Sequence, residues 1–257
     1  MQPTLAVVSC VNARAIMDSC LCGSPDIASG AIPLIPLWGE RSASQAYARV
    51  MDEPPAQAVI FAHQDIYFPA GWFDWLAEAM GAIARVDPDW AVIGAFGADA
   101  EGKAVGHIYD RCMQGVIGQP FGAPRKVSVL DEIVIVVRSG AGVNFDPALP
   151  GFHMYGTDIA LTAARAGRGV YVANLPLVHN SRSIDTLDRH FRAAWSFVDG
   201  KWRDARPIPS LICGRVEGVW PLLRWRIRNR VNLITKRRVL VDRVADPAPL
   251  VAHLNLR

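Results

Sequence analysis

The sequence predicts an α/β protein: a doubly wound, mostly parallel central sheet flanked by helices, with a basic helical segment at its C-terminal end. Three observations predict it. Short apolar runs rich in Val and Ile recur along the chain, as in strands buried on both faces. Segments with apolar residues at helical spacing lie between them, and such alternation favours parallel pairing. Polar residues collect where the apolar runs stop, the place where open α/β sheets bind ligands. With 257 residues, 51% of them hydrophobic, the chain is long enough and apolar enough to build a sizeable core. A charged share of 20% argues against disorder, and a net charge of +3 is too small to imply nucleic-acid binding.

The elements follow in order. Leu5–Cys10 is the first strand, ending near Ser9 and Asn12, and Ala13–Cys20 forms a short helix. Residues 32–37 are apolar but carry Pro33 and Pro36, which suits an edge strand or an extended connection. Ser42–Met51 is helical, with Ser42 or Ser44 as its cap, and Pro54-Pro55 ends it. Ala58–Ala62 is a buried strand. Pro69–Val86 places Trp72, Phe73, Leu76, Met80 and Ile83 on a helical stripe, and Trp90–Phe96 is a strand. Gly97–Pro124, rich in glycine, is expected to be a long loop or irregular hairpin. Lys126–Arg138 is a strand or strand pair carrying Asp131 and Glu132 at mid-length. Ile159–Ala166 is a helix, Val170–Ala173 a strand, and Arg189–Val198 a helix.

Three strand-end or helix-start sites stand out: His63-Gln64-Asp65, Thr157-Asp158 and His179. Parallel topology brings such ends to one rim. Carboxylate and imidazole groups gathered there can hold a metal ion and a phosphate. A carboxylate there can also take a proton from a reacting group. Each residue also has a simpler reading. Asp65 can cap the following helix, Asp158 can face the helix dipole, His179 can be a hydrogen-bonded core histidine, and Trp72 can be core. Asp131 in an apolar strand is costly unless it is partnered or faces a cleft.

The ordered set Phe61-Ala-His-Gln-Asp65, Leu130-Asp131, Phe152-His153-x-Tyr155-x-Thr157-Asp158 and His179-Asn-Ser181 resembles the family 2 glycosyltransferases of GT-A fold, more narrowly the StrF-like bacterial branch. The resemblance runs from Leu5 to Ser183. It implies transfer of a sugar from a nucleotide-diphospho-sugar donor to a hydroxyl acceptor, inverting and assisted by Mn²⁺ or Mg²⁺, in surface-glycan or secondary-metabolite assembly. Asp65 stands where relatives carry the last Asp of a DxD motif, and His63 where they carry the first, so the motif here is HxD. Asp158 matches the general base and His179 a late metal-binding His. Ser9, Asn12, Ser42, His63, Gln64 and Asp65 lie on the donor side, with an Asn common in relatives replaced by Ala48. Asp131, Trp72, His153 and Tyr155 lie on the acceptor side. A catalytically silent nucleotide-sugar or glycan binder of the same fold is the alternative. A nucleotidyltransferase would carry a Gly-rich basic loop after the first strand, where this chain reads Ser9-Cys-Val-Asn-Ala-Arg14.

The division expected is a catalytic domain over 1–206 and a basic extension over 207–257. From 215 to 243 arginines and lysines interleave with Trp220, Leu223, Ile227, Val231 and Ile234 at helical spacing. Two readings stay open: a helix lying in a membrane interface, or a helix packing that stripe on the domain. No run of apolar residues is long enough to span a bilayer or form a secretory leader, and the five irregularly spaced cysteines suit reduced, mostly buried thiols. A cytoplasmic protein, peripheral on the inner membrane face through 215–243, is expected, with no nucleic-acid partner.

Overall fold

The computed structural model describes residues 3–256. β1 (Leu5–Val11) is followed by α1 (Arg14–Ser19), α2 (Pro25–Ala28) and β2 (Leu34–Trp38). β2 carries Pro36 and takes the sheet edge, where a missing N–H costs least. α3 (Ala43–Asp52) leads to β3 (Ala58–Ala62) and the short β4 (Ile66–Tyr67). α4 (Trp72–Val86) precedes β5 (Trp90–Gly94). Then come β6 (Phe96–Ala98), β7 (Ala104–Asp110), β8 (Gly115–Gly118), β9 (Arg125–Lys126), β10 (Val129–Leu130) and β11 (Val134–Arg138). α5 (Tyr155–Arg165), β12 (Gly169–Val172), β13 (Val178–His179) and α6 (Arg189–Lys201) follow. The hairpin β14 (Ile208–Ser210) and β15 (Gly214–Val216), α7 (Trp220–Ile234) and a 3-10 turn, Ala248–Leu254, end the described chain.

The main sheet has the order β2-β1-β3-β11-β5-β12-β9. β2, β1 and β3 pair in parallel, and so do β5 and β12. β11 lies between β3 and β5 and is antiparallel to both. The sheet is therefore mixed, with parallel pairs on either side of a reversed strand, β11, at its centre and a second reversed strand, β9, at its edge, where it pairs antiparallel with β12; the strand–helix alternation does not anticipate either reversal. The reversal of β11 arises because no helix separates β10 from β11: the chain turns at Asp131-Glu132 and re-enters the sheet from its ligand-binding rim.

Side chains alternate across this sheet as a period of two requires. Val8, Val59, Phe61, Ile135 and Val137 point to one face, under α3, α5 and α6. Val7, Ile60, Val134, Val136 and Ile93 point to the other, under α1 and α4. Helices thus cover both faces.

Of the two expectations for 97–124, a long loop or an irregular hairpin, the structure shows the second: β6, β7 and β8 pair antiparallel. Glycines that read as loop formers serve close strand approach: a Cβ on Gly118, whose φ is +77°, would lie 1.9 Å from the Gly106 carbonyl oxygen. β7 then pairs with β13, which pairs with β4. This second sheet brings Asp110 and His179, the last residues of β7 and β13, side by side beneath Asp65. Residues beyond 207 fold back on the domain, with Ile208 and Val216 buried in the same core as β3 and β11. Of the five cysteines only Cys20 is buried, the other four are half-buried, and none is in a disulfide. Among the described residues no helix is long and apolar enough to cross a membrane.

Gly118→Ala tests the strand approach. It should lower the unfolding free energy by about 2 kcal/mol or more, from combined collision and backbone strain, read from urea midpoints. An unchanged midpoint would mean that β7 and β8 do not pack this closely.

Candidate functional site

β3 is buried along its whole length, and its exit delivers three polar side chains to the rim. His63 is fixed by its N–H, which donates to the Ile133 carbonyl at 3.0 Å. Gln64 turns to the neighbouring strand: its Oε1 accepts from Asn12 N and Ala13 N, each at 3.1 Å, and its Nε2 donates to Asn12 Oδ1 at 2.7 Å. Gln64 and Asn12 therefore hold the β1 exit against the β3 exit.

Asp65 lies between two cations. Arg243 Nη2 donates to its Oδ2 at 2.7 Å, and His179 Nε2 stands 3.4 Å from its Oδ1. Burial alone would push the Asp65 carboxyl up, but the His179 charge and the hydrogen bonds from His179 and Arg243 hold it well below the usual carboxylate range. His179 is gripped from behind by Asp110, whose Oδ2 is 2.8 Å from Nδ1. Burial disfavours the charged ring, yet Asp65 and Asp110 outweigh it and keep the imidazolium well above the ordinary histidine range. Asp110 is itself held by Ser181 Oγ and Met113 N–H, both donating to its Oδ1 at 3.0 Å. His63 has no such partner carboxylate, and burial lowers it to about 4, so it is neutral at physiological pH. Its Nε2 lies 3.0 Å from Tyr155 Oη, whose own proton goes to the Glu132 carbonyl at 3.0 Å. In that network Nε2 carries the proton, which leaves Nδ1 with a free lone pair.

His63, Asp65 and His179 each offer an atom within 4.8 Å of one another, the only such cluster among the described residues. Once His179 gives up its Nε2 proton, two imidazoles and one carboxylate fit a divalent transition ion such as Mn²⁺; they fit Mg²⁺, which takes oxygen donors, less well. The carboxylate behind His179 is the arrangement that orients a ligating imidazole.

A cleft of about 480 Å³ opens over this cluster. One wall is the β1 exit with Asn12, the β2 exit with Trp38 and Glu40, and Tyr47 of α3; the other is the turn Phe152-His153 with Tyr155. That turn is strained at Met154, a non-glycine residue with φ of +66°, and the Met154 N–H donates to the Glu132 carboxylate. Burial first, and the neighbouring Asp131 second, raise Glu132 to about 8.

Of the residues singled out from sequence, Asn12, His63, Gln64, Asp65, His153 and Tyr155 line the cleft, and His179 joins the cluster at its floor. Asp131 is not in the cleft wall. Its carboxyl accepts from Ile133 N–H at 3.1 Å, is raised by burial, and lies within electrostatic reach of His179 and Asp110. Four expectations need correction. Ser9 is fully buried two residues before β1 ends. Ser42 caps α3 and donates to the Leu149 carbonyl at 2.7 Å. Trp72 is fully buried in the core under α4, on the far face of the sheet, and stacks near Phe68. Asp158 is 1% exposed and turned away from the cleft: Trp202 Nε1 donates to its Oδ1 at 2.6 Å and Lys201 Nζ to its Oδ2 at 2.9 Å. It ties α5 to α6 and is not placed to reach a substrate.

Sequence reasoning missed Asp110 and Arg243. Asp110 ends an apolar run, Ile108-Tyr109, which is the signal that marks Asp65, but the glycine-rich stretch around it gave no strand end to place it on. Arg243 lies 178 positions from Asp65, and no local pattern joins them.

No family model matches the chain. It is 30% identical over 167 residues to "ATP synthase subunits region ORF 6" of Fuscovulum blasticum, an alignment covering 62% of this chain and 65% of that protein. The chain thus spans just under two thirds of that relative's length. Among solved structures it is similar to the mannosyltransferase PcManGT from Pyrobaculum calidifontis in complex with GDP-Man and Mn²⁺, with a TM-score of 0.47, 13% identity and coverage of 91% of this chain and 70% of that one. It is also similar to glucosyl-3-phosphoglycerate synthase from Mycobacterium tuberculosis in complex with Mg²⁺ and UDP, with a TM-score of 0.45, 14% identity and coverage of 82% of each chain.

Two outcomes follow from the geometry. Lys201→Met leaves the buried Asp158 carboxylate without its cation and should cost about 3 kcal/mol, visible as a lower urea midpoint; an unchanged midpoint would show that Asp158 is not held this way. Glu132, with its pKa raised in the fold, keeps its proton when folded but loses it when unfolded between about pH 4.5 and 8. Its contribution to stability is therefore full at low pH and is lost as pH rises through that window. Glu132→Gln should flatten the stability profile there, as measured by chemical unfolding at stepped pH, and parallel wild-type and variant profiles would contradict the assignment.

Proposed function

We propose that the protein is a glycosyltransferase that moves a sugar from a nucleotide-diphospho-sugar to a hydroxyl acceptor. The observation that carries this reading is the His63–Asp65–His179 cluster, joined by Arg243, at the exits of β3 and β13 beneath an open cleft. A leaving diphosphate is a spread negative charge, and this floor gathers cationic groups and metal-ligand atoms at one point. The wall built from Asn12, Trp38 and Tyr47 gives a nucleoside an apolar and aromatic face with one amide beside it.

In this reading His63, Asp65 and His179 hold Mn²⁺ in preference to Mg²⁺, and the ion supplies charge neutralisation at the diphosphate. Arg243 donates to the outer oxygen of Asp65 and presents the rest of its guanidinium to the donor phosphates. His153 and Tyr155, across the cleft, face the acceptor. Inverting transfer needs a base, and Asp158 is too enclosed to be one.

The single carboxylate of the HxD motif, already paired with Arg243, favours the second reading, a binder of nucleotide-sugars without turnover. A panel of UDP-, GDP- and dTDP-sugars, with and without Mn²⁺, separates the two. Thermal-shift binding and release of the nucleoside diphosphate should both be seen with at least one donor. Asp65→Asn should reduce release by about 100-fold or more, and Asp158→Asn should leave turnover per folded molecule unchanged. Binding without release across the panel would select the silent binder. Release that is equal in wild type and Asp65→Asn would remove the proposed site.

A further inference from the structure

The two readings left open for the basic segment are separated by how α7 sits. Leu222, Trp225, Asn229 and Leu233 form the face turned to the domain, all buried or half-buried. Asn229 fixes that face: its Nδ2 donates to the Asp185 carbonyl at 2.6 Å, and its Oδ1 accepts from Arg238. The stripe expected to pack on the domain points the other way. Trp220 is 77% exposed, Ile227 66% and Ile234 73%, with Leu223 and Val231 exposed between them. At the helical repeat these five residues fall within roughly a quarter of the circumference, opposite Asn229. α7 is thus apolar on two opposed faces, one used by the fold and one left uncovered.

The flanks say what covers the outer face. Arg224 and Arg228 border the stripe on one side, Arg226 and Arg230 on the other, and all four are exposed. Lys236, Arg237 and Arg238 follow the helix, and no acidic residue occurs between Glu217 and Asp242. An apolar strip walled by cations on both sides matches a surface whose interior is hydrocarbon and whose rim is anionic. It does not match a second copy of the same helix, because antiparallel or parallel pairing along the stripe would set arginines against arginines.

We propose that α7 is an interfacial helix that docks the protein on an anionic phospholipid bilayer, with Trp220, Leu223, Ile227, Val231 and Ile234 in the acyl boundary and the flanking arginines on lipid phosphates. The docking does not depend on the catalytic reading of the cleft, because none of the cleft residues takes part. It does have a geometric consequence for the cleft. From Ile234 the chain runs through Val241, which pairs with Ser183, to Arg243 on Asp65 and Val244 on Asn180. A helix resting on a bilayer therefore keeps the site within a short stretch of chain from the membrane plane, suiting an acceptor that carries a lipid.

Co-sedimentation of the full chain with vesicles tests this. Vesicles of phosphatidylcholine with about one third phosphatidylglycerol should pull the protein down, and pure phosphatidylcholine should pull down far less. Ile227→Glu, at an exposed position that leaves the packed face intact, should weaken partitioning about tenfold or more. Arg228→Gln should weaken it about fivefold. Circular dichroism and melting curves matching wild type establish that both variants are folded. Three results would overturn the proposal: no sedimentation with anionic vesicles; sedimentation lost in high salt but untouched by Ile227→Glu, which would mean attraction without insertion; or a dimer in solution that Ile227→Glu dissociates, which would mean a second copy covers the face.

Discussion

The structure turns on one buried carboxylate. Asp65 sits at the end of a fully buried strand, where an unpaired charge would cost several kcal/mol. It is retained because two cations reach it, His179 from the end of β13 and Arg243 from near the end of the chain. His179 in turn needs Asp110, or its own charge would be uncompensated. Two carboxylates and two cations thus form a closed neutral set. Each member comes from a different part of the fold, so the second sheet and the C-terminal strap, residues 235–247 between α7 and the closing 3-10 turn, are both conditions for having Asp65 at the rim at all. A carboxylate kept ionised in this way is a better metal ligand and a better phosphate-site partner than one left to titrate.

That constraint explains why a helix-start acid and a strand-end acid, alike in sequence, end in different roles. Asp65 follows the apolar strand β3 and precedes α4, and Asp158 lies in the first turn of α5. Asp65 meets groups that face a cleft. Asp158 meets Lys201 and Trp202 at the end of α6, 43 and 44 residues further on, which close over it. Its lone-pair directions are used inside the protein, and α5 and α6 are joined there. The Asp131–Glu132 turn, drawn to the rim by the reversal of β11, likewise keeps its carboxyl groups on internal N–H donors, Ile133 and Met154, and not in the cleft wall.

Much of the fold was legible because its signals are local. The apolar runs 5–10 and 58–62 are β1 and β3, and the stripe led by Trp72 is α4 within a few residues of its expected bounds. Pro36 marked an edge strand and Ser42 a helix cap, and both stand so. What could not be read was whatever depends on pairing at a distance. β11 looks like any buried strand, and nothing in Val134–Val137 states its direction. The glycines of 97–124 fit a loop and a close-packed hairpin equally well until their neighbours are known. In the site, the β3 exit and His179 were visible as polar residues after apolar runs. Arg243 was hidden among many arginines, since its role comes from where the strap lies.

The strap gives the C-terminal region a part in both surfaces of the molecule. It is anchored three times between α7 and the closing 3-10 turn: Val241 on Ser183, Arg243 on Asp65, and Val244 on Asn180. Ser181, between two of these anchors, also holds Asp110, so the anchoring segment 180–183 serves the charge cluster and the strap together. Displacing the strap would strip Asp65 of one cation while leaving His179 in place, and the cluster would then carry a net negative charge at the cleft floor. Positive charge at the cleft floor and a basic apolar helix on the surface are therefore set by one continuous stretch of chain, residues 220–244. The same sequence feature that looked from a distance like a simple basic tail divides physically into an outward face, a packed face and a single guanidinium directed inward.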